Sequence, residues 1–76
     1  DMMDVKCGAA GIYRGLRKCG DEVEKGDLLA QVIHPYEGGV ISEVRAPAEG
    51  ILFFAHESPL VMENTVVFKV IKRLHK

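Results

Sequence analysis

Val23-Glu24-Lys25-Gly26-Asp27-Leu28-Leu29 … Val32-Ile33 returns half a chain later as Val61-Met62-Glu63-Asn64-Thr65-Val66-Val67 … Val70-Ile71. Each residue of the second stretch lies 38 positions beyond its counterpart (61 − 23, 71 − 33). Moving towards the N-terminal side of each stretch, Val5-Lys6-Cys7 … Gly11-Ile12 is matched by Val44-Arg45-Ala46 … Gly50-Ile51. The offset there is 39 (44 − 5, 50 − 11), so one residue is lost in between. Repeat one covers about 5–33, repeat two about 44–71, and a hairpin at 34–40 connects them. Half-units this short cannot each enclose a core, so they are expected to pack on each other with pseudo-twofold symmetry.

The 76 residues suffice for a single small domain, 1–76, which buries only about 60% of its unfolded surface. A hydrophobic content of 47% supports a packed core and excludes a disordered chain. Ten basic and eleven acidic residues are interspersed, giving a net charge of −1, and form no basic stripe, so no nucleic-acid partner is expected. The basic residues of the end, Lys69, Lys72, Arg73 and Lys76, read as a solvated terminus. No apolar run reaches the ~18–20 residues of a membrane span, so no membrane partner is expected. The acidic start Asp1-Met2-Met3-Asp4 lacks the order of a signal peptide. Beginning on Asp1, the chain reads as the C-terminal fragment of a longer protein, with a cytoplasmic location by default. Cys7 and Cys19 match no zinc spacing and are too few for a disulfide framework. Both are expected as small, partly buried packing residues.

Short apolar runs punctuated by Gly, Pro, Asp and Asn predict an all-β fold. Strands are expected near 4–7, 11–16, 28–33, 40–46, 50–55 and 65–72, the richest in β-branched residues being 28–33 and 65–72. The segment 20–27 is a turn bounded by Gly20-Asp21 and Gly26-Asp27, whose Asp side chains can cap local amides while Val23 points inward as a plug. Val61 is expected to do the same in the second copy. Ala46-Pro47-Ala48-Glu49-Gly50 is a turn because proline withholds a ladder donor. His34-Pro35-Tyr36-Glu37-Gly38-Gly39 reads as the protruding hairpin that joins the repeats.

Gly20-Asp21-x-Val23-x-x-Gly26-Asp27-x-Leu29, then a hairpin, then Ala46-Pro47-x-x-Gly50, resembles the biotinyl/lipoyl-carrier superfamily, the barrel-sandwich hybrid, over about 4–72. That resemblance implies two pseudo-twofold-related β repeats. Carrier members of the superfamily present a lysine at the hairpin tip for an amide-linked prosthetic group. The corresponding position here falls near Gly38-Gly39, and no lysine lies between 26 and 68. No cofactor is therefore expected on this chain. Among non-carrier branches, Val32-Ile33-His34-Pro35 … Ser42-Glu43-Val44-Arg45-Ala46-Pro47-Ala48-Glu49-Gly50-Ile51 is similar to the C-terminal domain of the succinylglutamate desuccinylase/aspartoacylase family. Those proteins are zinc-dependent amidohydrolases. The resemblance implies an accessory domain that packs on the catalytic domain of the same polypeptide and rims its substrate channel. Zinc would sit in that catalytic domain, bound through a His-x-x-Glu motif and a later His. No metal ligand, catalytic residue or general base is assigned to this chain. His56-Glu57, adjacent in a strand, would point to opposite faces.

Two other readings stand beside this one. A lipoyl-like module of a membrane-fusion adaptor also lacks the lysine, but long helices usually separate its halves. A degenerate carrier is the other, and a phosphocarrier on His34 has no phosphate cradle around it. Candidate contacts with another domain or with the substrate channel are His34, Tyr36 and Glu37. His34 sits at the hairpin root, where its ring can bond to backbone, and an exposed Tyr is a low-entropy anchor. Phe53, Phe54 and Phe68 are expected in the core, except that one of the adjacent pair must face the other way. Asp21, Glu22, Glu24 and Asp27 lack calcium-loop spacing and read as solvated turns.

Overall fold

The computed structural model describes residues 2–72. Eight strands appear in chain order: β1 (Met2–Lys6), β2 (Gly11–Gly15), β3 (Glu22–Val23), β4 (Leu28–Ile33), β5 (Val40–Arg45), β6 (Gly50–Ala55), β7 (Leu60–Val61) and β8 (Val66–Lys72). The fold is all-β, with two four-stranded antiparallel sheets of order β1-β8-β6-β3 (sheet A) and β5-β4-β2-β7 (sheet B). Exchanging β1 with β5, β2 with β6, β3 with β7 and β4 with β8 turns one order into the other. The six expected strands are present with ends shifted by a residue or two. The short β3 and β7 were expected to be turn. Each makes only two cross-strand pairs, Glu22 with Ile51 and Val23 with Gly50 in one case, Leu60 with Ile12 and Val61 with Gly11 in the other. Arg73, His75 and Lys76 of the basic end lie outside the described residues.

Each sheet presents alternate residues to the space between them. Leu29, Ala30, Val32 and Tyr13 come from sheet B and Leu52, Val67, Phe68 and Val70 from sheet A. Burying each large aliphatic or aromatic side chain contributes about 1.5–3 kcal/mol. Val23 and Val61 close the core as the expected plugs. No polar or charged residue of the described set is buried. The fold thus holds by apolar contact and ladder bonds.

The turns match in pairs. Gly26 and Asn64 both take left-handed backbone, φ 90° and 70°, a region open to Gly and, among side-chain-bearing residues, best tolerated by Asn. Gly26 N–H donates to Ala46 O at 2.9 Å and Ala46 N–H to Asp27 O at 2.9 Å. Asn64 N–H donates to Cys7 O at 3.0 Å and Cys7 N–H to Thr65 O at 3.0 Å. As expected, Asp side chains cap: Asp21 Oδ2 accepts from Lys18 N–H and Asp27 Oδ2 from Glu24 N–H, both at 2.9 Å.

The β6–β8 ladder has an irregularity that its β2–β4 counterpart lacks. Leu52 faces Val70 but Phe54 faces Lys69, so Phe53 is an extra residue, a β-bulge. Leu16 N–H donates to Leu29 O, whereas the bond to Val67 O comes from His56, an offset of 40 (56 − 16). The bulge leaves Phe53 half-buried and Phe54 41% exposed, with Lys69 Nζ 5.9 Å from the Phe54 ring centroid. Only Phe68 of the three phenylalanines is fully enclosed.

Candidate functional site

The hairpin that leaves β4 and enters β5 is closed by His34 N–H to Gly39 O at 2.8 Å and Gly38 N–H to His34 O at 3.0 Å. Pro35 fixes one backbone angle, and Gly38 supplies φ 78° where the chain reverses. The His34 ring folds back over this turn. Its Nδ1 accepts from Tyr36 N–H at 3.1 Å and Glu37 N–H at 3.2 Å. A ring nitrogen that accepts carries no proton, so the neutral tautomer bears its hydrogen on Nε2. The His34 and Tyr36 ring centroids lie 6.0 Å apart, while Tyr36 itself is 92% exposed.

The structure therefore brings His34, Tyr36 and Glu37 together on one turn, with His34 as its brace and Tyr36 as its projecting group. His34-Pro35-Tyr36-Glu37 also has the spacing of a His-x-x-Glu motif, which the sequence reading passes over. Here His34 Nδ1 is engaged by backbone amides. Among the described residues no three His, Cys, Asp or Glu side chains form a group that could hold a metal ion. The spacing serves the turn, and no third ligand joins these two among the described residues.

A second feature was not anticipated. Tyr13 on β2 is buried, and its hydroxyl has no hydrogen-bond partner. Its ring meets His56 edge-on at 4.9 Å and 88° and tilts against Phe68 at 6.5 Å. His56 Nε2 lies 3.0 Å from Leu60 O; a carbonyl only accepts, so Nε2 carries the proton. A Cβ on Gly15 would stand 3.3 Å from Tyr13 Cε2, so the missing side chain leaves room for the ring. Tyr13 lies in the wall of an open groove of about 450 Å³, lined also by Arg17, Cys19, His56 and Glu57. Burial first, and the neighbouring Cys7 second, push the Tyr13 phenol up from 10.0 to about 12. The repeat offered a signal, because Tyr13 falls at the core position that Leu52 holds in the second half.

The cysteines separate. Cys7 is buried, and its thiol donates to Met62 O at 2.9 Å. Cys19, expected to be partly buried, is exposed. It follows the last residue of β2 by four positions, beyond the point where the ladder holds side chains inward.

These features define a small two-sheet β structure with a braced hairpin and, among its described residues, no group of possible metal ligands. No family model and no curated protein matches the chain. Its structural neighbours are succinylglutamate desuccinylase/aspartoacylase family proteins. An aspartoacylase family protein from Mesorhizobium loti superposes with a TM-score of 0.81 at 25% identity, over 96% of this chain and 24% of its own. The ectoine utilization protein EutE (DoeB) from Ruegeria pomeroyi, in its apo structure, gives 0.78 at 31% identity over 88% and 21%. A succinylglutamate desuccinylase/aspartoacylase from Rhodobacter sphaeroides gives 0.82 at 18% identity over 96% and 25%, a likeness of fold. The chain thus spans a fifth to a quarter of the length of these proteins. No helix among the described residues is long and apolar enough to cross a membrane.

Proposed function

We propose that this chain is the C-terminal accessory domain of a zinc-dependent amidohydrolase of the succinylglutamate desuccinylase/aspartoacylase kind. In this reading it packs on the catalytic domain of the same polypeptide and rims the substrate channel with the 34–39 hairpin. The observation that carries it is the partial match: 84–96% of this chain is matched by only 20–25% of each neighbour. The fold type proposed with it is the barrel-sandwich hybrid of two related halves, supported by the interchangeable sheet orders. In this reading zinc and the general base belong to the remainder of the polypeptide; among the described residues no group of three His, Cys, Asp or Glu could hold a metal ion. The hairpin's part is positional. The His34 ring, bonded to two amides, braces the backbone that carries Tyr36 and Glu37.

The test is to isolate the native full-length polypeptide, measure its mass and bound metal, and assay hydrolysis of N-acyl amino acids beside the 76-residue chain. About one zinc per polypeptide, activity in the long chain and none in the short one are the expected results. A long chain that neither holds zinc nor cleaves an amide would overturn the proposal.

A further inference from the structure

Register places four apolar side chains in one straight line across the outside of sheet B. Leu60 of β7 pairs with Ile12 of β2, Ile12 with Ile33 of β4, and Ile33 with Val40 of β5. Their chain neighbours Val61, Tyr13 and Val32 point into the core, so alternation turns this row outward. Leu60 is 65% exposed, Val40 49% and Ile12 38%, with Ile33 half-buried between its neighbours. A register shift between Val32 and Ile33 makes Ile41 an additional residue beside Val40, and it too is exposed. The hairpin follows directly on the row, because Ile33 and Val40 are the residues on either side of it, and it carries the exposed Tyr36. An apolar line across a whole sheet, next to a hairpin with an exposed tyrosine, is the kind of surface that interfaces use.

The matching line on sheet A runs Met2, Ile71 and Ile51, which are also exposed, and ends at the edge strand on Glu22, so it is one apolar residue shorter and closes on an acid. Charge on sheet B distinguishes the partner. The next outward row is Glu43, Gln31 and Arg14. Glu43 is compensated by Arg45 at 2.9 Å, while Arg14 has no ion pair among the described residues. The face is therefore apolar with one uncompensated cation beside the line.

The geometry points to the outer face of sheet B, from Leu60 to Val40 and on to Tyr36, as the surface that docks the remainder of the polypeptide. The surface it meets would be apolar, with a carboxylate opposite Arg14. This inference rests on the accessory-domain reading and adds to it the face and the chemistry of the contact. The neighbours, in which three quarters or more of the chain lies outside the matched part, supply an occupant of sufficient size.

A thiol-accessibility experiment tests it. In a Cys19→Ser background, Ile12→Cys and Ile51→Cys are made separately in the full-length polypeptide and in the 76-residue chain, and the rate of maleimide addition is measured. The thiol placed at position 12 is expected to react at least tenfold more slowly in the long chain than in the short one, while that at position 51 keeps its rate. Adding Arg14→Glu should restore several-fold of the lost reactivity at position 12. Slowing at position 51 alone would overturn the choice of face and leave the accessory-domain reading intact. No slowing at either position would overturn both. Slowing at position 12 in the short chain alone, growing with protein concentration, would assign the face to a second copy and overturn the proposal. Far-ultraviolet circular dichroism of each variant separates a lost contact from a lost fold.

Discussion

Removing the Tyr13 hydroxyl should make this domain more stable, because that oxygen is enclosed and bonds to nothing. A buried donor left without a partner costs about 1–3 kcal/mol, whereas a hydroxyl exchanged for hydrogen leaves the ring in place. Tyr13→Phe keeps the edge contact with His56 and the packing on Phe68. The expected gain is about 1 kcal/mol, which for a domain of this size raises Tm by roughly 4–8 °C. The pH dependence gives a second readout. Burial raises the phenol from 10.0 to about 12 in the folded state. Between those values the unfolded chain has released the proton and the folded one still holds it. The unfolded state then binds fewer protons, so stability is intact below pH 10 and falls as pH rises towards 12. The loss attributable to this group is on the order of 2 kcal/mol at the upper end. Tyr13→Phe should lack that component. Urea unfolding followed by circular dichroism at neutral pH and at several alkaline values measures both effects. A phenylalanine variant less stable by 1 kcal/mol or more at neutral pH, with an unchanged alkaline slope, would show that the hydroxyl has a partner and refute the reasoning.

Close packing, the braced hairpin and the burial of Cys7 each set a further outcome. Gly50→Ala places a Cβ against the Ile71 carbonyl oxygen and 2.9 Å from Val70 Cγ1, and should cost about 2–3 kcal/mol in urea unfolding. Its counterpart Gly11→Ala meets the Ile33 carbonyl oxygen at 2.7 Å and should cost less; the reverse order would contradict the packing. His34→Ala deprives the Tyr36 and Glu37 amides of their acceptor. Their hydrogen exchange should quicken about tenfold, with global stability changed by at most about 1 kcal/mol. In the folded protein a thiol reagent should titrate Cys19 at once and Cys7 only on unfolding; two fast equivalents would refute the burial of Cys7.

The sequence disclosed the strands that carry the core and concealed the points where the strands are irregular. Leu28–Ile33 and Val66–Lys72 are legible because the fully enclosed Leu29, Val32, Val67 and Val70 recur on a β-branched background. Glu22–Val23 and Leu60–Val61 are not, since two-residue strands sit inside turn chemistry and only the partner strand defines them. The bulge at Phe53 is hidden for a different reason. Two adjacent phenylalanines give no alternation to read, and Val40-Ile41 conceals the β5 irregularity in the same way. Of the hairpin candidates, His34 was legible as a backbone-bonded corner residue, because a histidine beside a proline-initiated turn has amides within reach. Tyr13 was missed because a tyrosine in a strand reads as ordinary core, and only comparison with Leu52 exposes its hydroxyl as a departure.

That departure carries a wider argument. In a chain whose two sheets have interchangeable strand orders, positions filled alike in both halves serve the fold, and those filled differently are free to serve something else. Val23 and Val61, Gly26 and Asn64, and Gly11 and Gly50 do the same work on each side. The differences gather elsewhere. Tyr13 replaces a leucine, and the outward row on sheet B ends on Leu60 where its counterpart ends on Glu22. The 34–39 hairpin, by joining the halves, has no counterpart in either. Two of these differences, the row and the hairpin that adjoins it, make up the surface proposed for docking. Both sheets carry exposed apolar residues on their outer faces, but only on sheet B does the apolar line run from one edge strand to the other. That difference supports the docking proposed for sheet B, and the hairpin braced by His34 carries the exposed Tyr36 beside the same face.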